Sequence, residues 1–289
     1  MRLGVDLGGS KIEAAVLDAQ GKVALRRRVP TPRGAYEDAL RLLQTQIAEL
    51  EREAQEPCTV GIGLPGTLSR RTGLVANAYN TPVNGRPLKR DLEAALGREL
   101  RFANDANCFA LSEARDGAAR GARVVFGAVL GTGAGGGLVV DGRALEGHHG
   151  LAGEWGHNPL PWMRPEEYPG PVCSCGRAGC IEQFVSGTAL RRDGASAALH
   201  ADRLARALAQ VVNLLDPDAI VLGGGVSNIA SLYDQLPPLI ARYAYTDAFS
   251  TPVLRAAHGD ASGVRGAAWL GAAHEEARGQ RGAVKNAVG

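Results

Sequence analysis

Two segments of the chain repeat one unit, which consists of a strand, a glycine-rich turn, a second strand and a second turn. The first copy covers residues 3–17 and is followed by a turn at residues 18–22. The second copy covers residues 124–140 and is followed by Asp141-Gly142-Arg143. Glycine permits the tight reversal between two such strands. Repetition at this separation predicts two related α/β domains that face each other.

The segments around the two copies alternate strands with amphipathic helices. Within residues 35–54, apolar side chains recur at helical spacing, and residues 59–64 are typical of a buried strand. Another strand at residues 101–103 leads into Asn104-Asp105, and a strand at residues 219–222 leads into three glycines. Helices are predicted over residues 88–96, 106–117, 204–215, 231–243 and 264–277, with a frayed tail from residue 278. This alternation favours α/β layers over a sandwich or a helical bundle.

The length of 289 residues is sufficient for two compact domains. We predict a smaller N-terminal α/β domain over residues 1–112, completed by residues 265–289 with a closing C-terminal helix. A larger α/β domain is predicted over residues 113–264. The larger domain contains a cysteine-rich loop.

Charge and hydropathy exclude several classes of partner. The 32 basic and 30 acidic side chains give a net charge of +2, which provides no electrostatic basis for binding nucleic acid or an anionic membrane. No apolar stretch approaches the roughly 18 residues of a membrane helix, and the charged residues 1–15 do not resemble a signal peptide. We therefore expect a cytoplasmic protein whose cysteines are reduced or bound to metal.

Three glycine-rich turns each follow a strand and are candidates for phosphate binding. Backbone N–H groups in such turns approach an anion closely, although a single glycine turn is often purely structural. Three of them in two matched halves favour a nucleotide site in a cleft between the domains. Asp6 and Lys11 flank the first turn. Asp6 could hold Mg²⁺ through water or only cap the turn, and Lys11 could neutralise phosphate. The turns are Gly8-Gly9-Ser10, Gly131-Thr132-Gly133 and Gly223-Gly224-Gly225.

One imidazole and three thiols are clustered in the second half of the chain. His157, Cys173, Cys175 and Cys180 form a Cys₃His set, which suits a structural Zn²⁺ with four protein ligands and no open position. A disulfide or three unrelated thiols are the alternatives. Binding of the metal would also fix Glu154 and Glu182, whose carboxylates accept hydrogen bonds from the hydroxyl groups of a polyol.

Taken together, these motifs resemble the ROK family of repressors, open reading frames and sugar kinases over nearly the whole chain. Asp6-Leu-Gly-Gly-Ser-Lys11 is similar to the family's phosphate hairpin, with serine where threonine is usual. The Cys₃His segment with Glu154 and Glu182 is similar to its zinc and sugar signature. The other matching motifs are Gly61-Ile-Gly-Leu-Pro-Gly66, Asn104-Asp105-Ala106-Asn107, Gly131-Thr-Gly133 and Leu222-Gly-Gly-Gly225.

The resemblance implies a pair of RNase H-like domains of the actin and hexokinase type, with an active-site cleft between them. It further implies ATP with Mg²⁺ as phosphate donor, a structural Zn²⁺, a homodimer and Asp105 as general base. The residues that it places at the sugar are Gly66, Asn104, Glu154, His157 and Glu182. The sequence around Glu154 is most similar to that of bacterial fructokinases that also accept mannose, so fructose is the expected substrate. Mannose, glucose and N-acetylglucosamine are the alternatives.

Two departures from the family pattern lead to further expectations. ROK repressors carry a winged helix before the first strand, whereas here that strand starts at Leu3, which disfavours a repressor. The segment from Gly187 to Leu204 is shorter than usual in the family. This shortening puts nucleotide affinity and oligomeric state in question, and it leaves a sugar-sensing protein without catalysis as the competing hypothesis.

Overall fold

The computed structural model describes residues 1–78 and 81–271, which form two compact units. The first unit contains Met1–Ser112, Glu146–Leu151 and the described chain from Ala261 onward. The second contains Glu113–Leu145 and Ala152–Asp260. Of the closing helix predicted for residues 264–277, residues 272–277 lie outside the described part of the chain, as does the predicted tail.

The first unit is built on a mixed five-stranded sheet of order β3-β2-β1-β4-β7. The predicted hairpin is confirmed, since β1 and β2 are antiparallel neighbours, and β1 pairs in parallel with β4. A short β5–β6 hairpin follows β4. The strands are β1 (Arg2–Leu7), β2 (Lys11–Leu17), β3 (Val23–Pro30), β4 (Thr59–Leu64), β5 (Thr67–Leu68), β6 (Val75–Ala76) and β7 (Arg101–Asn104).

Helices α1 (Tyr36–Ala54) and α2 (Leu88–Leu96) contact each other, and Leu43 and Leu92 are fully buried in the core of this unit. Helix α3 (Asp105–Arg115) begins directly after β7. Residues 262–271 form the described part of a further helix, α8. This helix lies against β4 so closely that a Cβ atom on Gly61 would be 1.9 Å from the Ala267 carbonyl oxygen. Only glycine permits this approach.

The second unit repeats the strand and turn pattern in a five-stranded sheet of order β10-β9-β8-β11-β12. The strands are β8 (Val124–Leu130), β9 (Ala134–Val140), β10 (Arg143–Ala144), β11 (Ala219–Gly223) and β12 (Val253–Arg255). The helices are α4 (Glu182–Val185), α5 (Gly187–Asp193), α6 (Ala197–Leu215) and α7 (Ser231–Ala241). Helix α6 ends where Asp216 adopts a left-handed conformation, immediately before Pro217.

The observed units differ from the predicted domains in the placement of two short segments. Glu146–Leu151 and residues 261–264 were placed in the larger domain, and both lie with the first unit. Glu146 pairs with Arg70 at 3.7 Å, and Gly150 packs against Thr67 of β5. These contacts are long-range in the chain, and the local pattern of residues 140–155 contains no sign of them.

A run of three arginines on β3 is neutralised within the first unit. Arg26 and Arg28 both contact the carboxylate of Glu13, which is 1% exposed on β2. Arg27 instead contacts Glu49 and Glu53 of α1. All three arginines therefore form ion pairs within the first unit. Among the described residues, no helix is both long and apolar enough to cross a lipid bilayer.

Candidate functional site

The first glycine turn joins β1 to β2 and is held by backbone and hydroxyl contacts. The Gly8 N–H donates to the Lys11 carbonyl oxygen at 2.9 Å. Thr31, at the end of β3, donates from its hydroxyl to the Gly8 carbonyl oxygen at 2.7 Å. The Thr31 N–H donates to the Ser10 carbonyl oxygen at 3.0 Å. Thr31 therefore fixes the turn from outside. The sequence motif gave no sign of this residue.

Asp6 lies at the end of β1, and its carboxylate is close to the start of α8. A Cβ atom on Gly263 would lie 2.7 Å from Asp6 Oδ2. Burial raises the pKa of Asp6 to about 7, and the negative charges of Asp105 and Glu13 contribute, while Lys11 opposes the shift. Within the described residues, no hydrogen bond joins this carboxylate to the glycine turn. The local contacts therefore argue against a simple capping role and leave the carboxylate available to a cation.

We expect Asp6→Asn to stabilise the fold and to lower turnover. When a carboxyl group has a higher pKa in the folded chain, the fold loses stability as pH rises from the unfolded pKa, here about 4, to the folded pKa of about 7. Asparagine avoids this cost, so unfolding in urea without Mg²⁺ should require about 4 kcal/mol more at pH 8, and little more near pH 4. Equal gains at both pH values would contradict the raised pKa.

The chain reverses at Pro65-Gly66 and places Gly66 beside the β7–α3 junction. The Asn104 amide donates from Nδ2 to the Gly66 carbonyl oxygen at 2.9 Å, and its Oδ1 accepts from the Ala106 N–H at 2.9 Å. Asp105 is the first residue of α3, and its carboxylate accepts from the Ala106 N–H at 2.8 Å. The structure therefore brings Gly66, Asn104 and Asp105 together, with Asp105 exposed.

In the second unit, the Gly131-Thr132-Gly133 turn is bound to the start of α4. Glu182 accepts from the Ala134 N–H at 3.0 Å, and a Cβ atom on Gly133 would be 2.3 Å from Glu182 Oε2. The Gly187 N–H donates to the Gly131 carbonyl oxygen at 2.8 Å. A candidate sugar residue and a candidate phosphate turn thus share direct contacts.

Glu154 precedes a short 3₁₀ turn, Trp155–His157, that packs on β9. Trp155 donates from its indole to the Gly135 carbonyl oxygen at 2.8 Å and packs edge-on against Phe126. Although Glu154 is exposed in part, desolvation of its carboxyl group raises its pKa. Nearby Glu182 adds to the rise and His157 opposes it. The two carboxylates are therefore close enough to sense each other's charge.

The four predicted metal ligands converge in space. One ligand atom from each of His157, Cys173, Cys175 and Cys180 lies within 4.8 Å of every other. Cys173 Sγ is 3.5 Å from His157 Nδ1, and Cys175 Sγ is 3.6 Å from Cys180 Sγ. All five cysteines of the chain are described, and none forms a disulfide. The disulfide alternative is therefore wrong for this structure.

The geometry of the cluster fits a tetrahedral ion. With Zn–S bonds of about 2.3 Å and Zn–N bonds of about 2.0 Å, the ligand atoms of a tetrahedron are roughly 3.5–3.8 Å apart. Positive φ angles at Gly176 and Gly179 turn the chain between the ligands. A hydrogen bond from the Arg177 backbone lowers the pKa of Cys175 to about 6, whereas burial raises the pKa of Cys180.

The third glycine turn borders an open hollow in the second unit. Gly223, Gly224 and Gly225 line it together with Arg255 and His258, and its volume is ≈ 570 Å³. The opposite wall is held by Glu113, which is fully buried and which sequence reasoning missed. Its carboxylate accepts from the N–H groups of Ala257 at 2.9 Å and His258 at 3.3 Å. The apolar neighbours of Glu113 in α3 were the one available sign that it is buried.

A buried ion cluster anchors the segment that precedes the cysteines. The Arg206 guanidinium on α6 is 0% exposed and donates to Glu167 and to the carbonyl oxygens of Pro161 and Trp162. Arg203 contacts the same carboxylate at 2.9 Å. The hydrogen bonds that Glu167 accepts from these arginines and from the Arg164 backbone outweigh its burial and lower its pKa to about 2. The cluster fixes residues 161–167 on α6.

Comparisons with known proteins agree with the fold and the motifs. The family model described as ROK family matches residues 2–198 and 195–274. An N-acetyl-D-glucosamine kinase of Pectobacterium atrosepticum is 40% identical over 93% of this chain and 98% of its own length. A ROK hexokinase from Thermus thermophilus is 34% identical, with a TM-score of 0.85 over 95% of this chain and 99% of that chain.

A further solved structure contains a sugar and a nucleotide analogue. It is a ROK family glucokinase from Streptomyces griseus in complex with glucose and AMPPNP. It is 28% identical, with a TM-score of 0.73 over 93% of this chain and 98% of that chain. None of these three relatives is named a fructokinase, so the expected preference for fructose has no support from them.

Proposed function

Because the chain belongs to the ROK family, we propose that it is an ATP-dependent sugar kinase whose preferred substrate is N-acetyl-D-glucosamine. The observation that carries this proposal is the 40% identity to an N-acetyl-D-glucosamine kinase along nearly the full length of both chains. The convergence of Gly66, Asn104 and Asp105 supports it. Glucose, mannose and fructose are the alternative substrates.

Asp105 is the general base of the proposed reaction. Its carboxylate takes the proton of a primary hydroxyl group as that oxygen attacks the γ-phosphorus of ATP. The bond between the γ-phosphorus and the bridging oxygen breaks, and ADP leaves. Phosphoryl transfer depends mainly on positioning and charge neutralisation, so one base and well-placed donors suffice. The residues that we assign to the sugar are Gly66, Asn104, Glu154, His157 and Glu182.

The three glycine turns supply the N–H groups that we assign to the phosphates of ATP. Lys11 adds a positive charge beside the first turn, where its ammonium group is 3.9 Å from Glu13 Oε2. Asp6 would hold Mg²⁺, which supplies charge neutralisation on the phosphates. Its partly desolvated carboxylate, with a second carboxylate nearby, fits a divalent cation. The residues concerned are Gly8, Gly9, Ser10, Gly131, Thr132, Gly133, Gly223, Gly224 and Gly225.

The Cys₃His cluster would hold a structural Zn²⁺ that fixes the segment between Glu154 and Glu182. We expect Cys180→Ser to lower bound zinc from about one ion per chain to nearly none, because a thiolate ligand is lost. Cys58→Ala, which removes a buried thiol outside the cluster, should retain the ion. Elemental analysis of the two purified variants measures this. Unchanged zinc in Cys180→Ser would contradict the assignment.

The proposal also includes a homodimer, as the sequence predicts. Its support is the exposed apolar area of the segment before and within the metal loop, where Trp162, Tyr168 and Val172 are 52%, 77% and 75% exposed. Contiguous exposed apolar surface often marks contacts between protein chains. Sedimentation of the purified chain measures the subunit number.

A coupled assay of ADP release with four sugars tests the proposed function. N-acetyl-D-glucosamine should give the highest kcat/KM, and each active sugar should release ADP only in the presence of Mg²⁺. The Asp105→Asn variant, purified in the same way, corrects for contaminating kinases. Sugar binding without ADP release from any of the four would favour the sugar-sensing protein that the short Gly187–Leu204 segment suggests.

A further inference from the structure

A small cavity in the first unit lies beside the candidate sugar residues and has no role in the mechanism above. It has a volume of ≈ 230 Å³ and is bounded by β5, β7 and the Glu146–Leu151 segment. Its apolar walls include Leu64 and Leu100, which are 1% and 0% exposed. Asn104 lines the cavity as well, so the cavity adjoins a residue that we assign to the sugar.

Asn107 is the polar group that distinguishes this cavity. It lies in the first turn of α3, three positions after Asn104, the last residue of β7. Its side chain lines the cavity and is 2% exposed, and its Oδ1 has no hydrogen-bond partner among the described residues. A buried acceptor without a donor is costly, and native proteins rarely retain one unless water or a ligand satisfies it.

Three cationic side chains also line the cavity, yet each has a carboxylate partner. Lys89 lies 3.8 Å from Glu93, Arg101 lies 2.9 Å from Glu99, and Arg70 lies 3.7 Å from Glu146. Their charges are therefore balanced in place, which argues against an anionic ligand. Among the other polar lining residues, Asn104 and Glu146 also have partners, whereas Asn107 Oδ1 has none among the described residues and lies with apolar side chains.

We propose that this cavity receives the acetamido group of an N-acetylated hexose, with Asn107 Oδ1 accepting its N–H. An acetamido group combines one N–H donor with a methyl group. The N–H would meet the Asn107 acceptor, and the methyl group would meet the leucine side chains of the cavity. This inference rests on the proposed function and deepens it, because it names the part of the chain that separates an acetamido sugar from glucose. Asn107 is a specificity residue in this scheme, and Asp105 remains the base.

Two variants test the cavity in complementary ways. Asn107→Leu keeps the side-chain volume and removes the acceptor. Leu68→Trp adds bulk from the β5 wall, where Leu68 is only partly buried and lines the cavity. Each should lower kcat/KM for N-acetyl-D-glucosamine relative to glucose by at least about tenfold, because a site built to bond an N–H discriminates strongly on it. Ser112→Ala removes a fully buried hydroxyl of α3 that has no hydrogen-bond partner in the described part of the chain, and it should leave this ratio unchanged.

Calorimetry without ATP separates this inference from the proposed kinase activity. The ratio of the Kd values for N-acetyl-D-glucosamine and glucose can be measured whether or not the wild-type chain turns over. Selective weakening of the acetamido sugar in both variants supports the cavity assignment. Equal weakening of both sugars, or an unchanged ratio in Asn107→Leu with native circular dichroism, would overturn it. Loss of ADP release with an intact binding ratio would refute only the kinase.

Discussion

Replacement of Asp105 by asparagine should lower kcat by at least about a hundredfold and leave the fold and the metal content unchanged. General base catalysis contributes roughly 10²–10⁴ to a rate, and an amide cannot take the hydroxyl proton at neutral pH. Asparagine has nearly the same shape and keeps an oxygen that can accept from the Ala106 N–H, as the carboxylate does at 2.8 Å. The geometry at the start of α3 should therefore persist.

The comparison variant is Asp38→Asn, which makes the same chemical change on the exposed surface of α1. Asp38 forms an ion pair with Arg41, and both side chains are at least half exposed. Its kcat should stay within about twofold of the wild type, since exposed pairs contribute little to a fold. Near-normal turnover in Asp105→Asn would remove Asp105 from the mechanism. Equal losses in both variants would point to a general effect of the substitution.

Replacement of Arg206 by methionine should destabilise the second unit by about 3–5 kcal/mol. Removing one partner of a buried ion pair leaves the other charge without compensation. Here the Glu167 carboxylate would lose two hydrogen bonds, at 2.9 and 2.8 Å, and the carbonyl oxygens of Pro161 and Trp162 would lose their shared donor. Arg203 would remain as the nearest cation.

Arg164→Met provides the matched control. Arg164 pairs at 2.9 Å with Asp202, a carboxylate that Arg206 also contacts at 3.1 Å, but Arg164 is 44% exposed. Its loss should cost less than about 1 kcal/mol. Urea unfolding followed by tryptophan fluorescence measures both variants. The signal reports on the second unit because Trp155 and Trp162 lie there. Similar midpoints for Arg206→Met and the wild type would mean that the cluster does not hold residues 161–167 in place.

The strands and turns were predictable because local signals specify them. The two strand, glycine turn, strand units appear in the structure at β1–β2 and β8–β9, and Asp216-Pro217 ends α6 as predicted. The convergence of His157, Cys173, Cys175 and Cys180 was also predictable, since those residue types lie at metal-ligand spacing. Each of these features depends on residues that are close together in sequence or chemically unusual.

The supporting contacts could not be predicted, because they join residues that are distant in sequence and ordinary in type. Arg206 and Glu167 are separated by 39 positions, and a charged residue on an amphipathic helix usually faces solvent. Glu113 binds the backbone of Ala257, 144 positions away. The same limit explains the placement of Glu146–Leu151, whose long-range contacts are with Thr67 of β5 and with Arg70.

The choice of sugar was the least predictable feature. Fructose was expected from residues around Glu154, to which we assign contacts with hydroxyl groups that all hexoses share. The cavity beside Asn107 depends on side chains from β4, β5, β7 and α3, which no short motif contains. The proposed preference for N-acetyl-D-glucosamine rests on identity to a relative along nearly the full chain, whereas short motifs sufficed for the class of reaction.

The most direct test of the central claim is the amount of phosphorylated sugar formed per ADP released by the wild-type chain with N-acetyl-D-glucosamine. Mass spectrometry of the sugar and a coupled assay of ADP measure the two products in one reaction. The kinase mechanism predicts one mole of sugar monophosphate per mole of ADP, with both products nearly absent for Asp105→Asn. Binding of the sugar without formation of either product, for this and the other three hexoses, would contradict it.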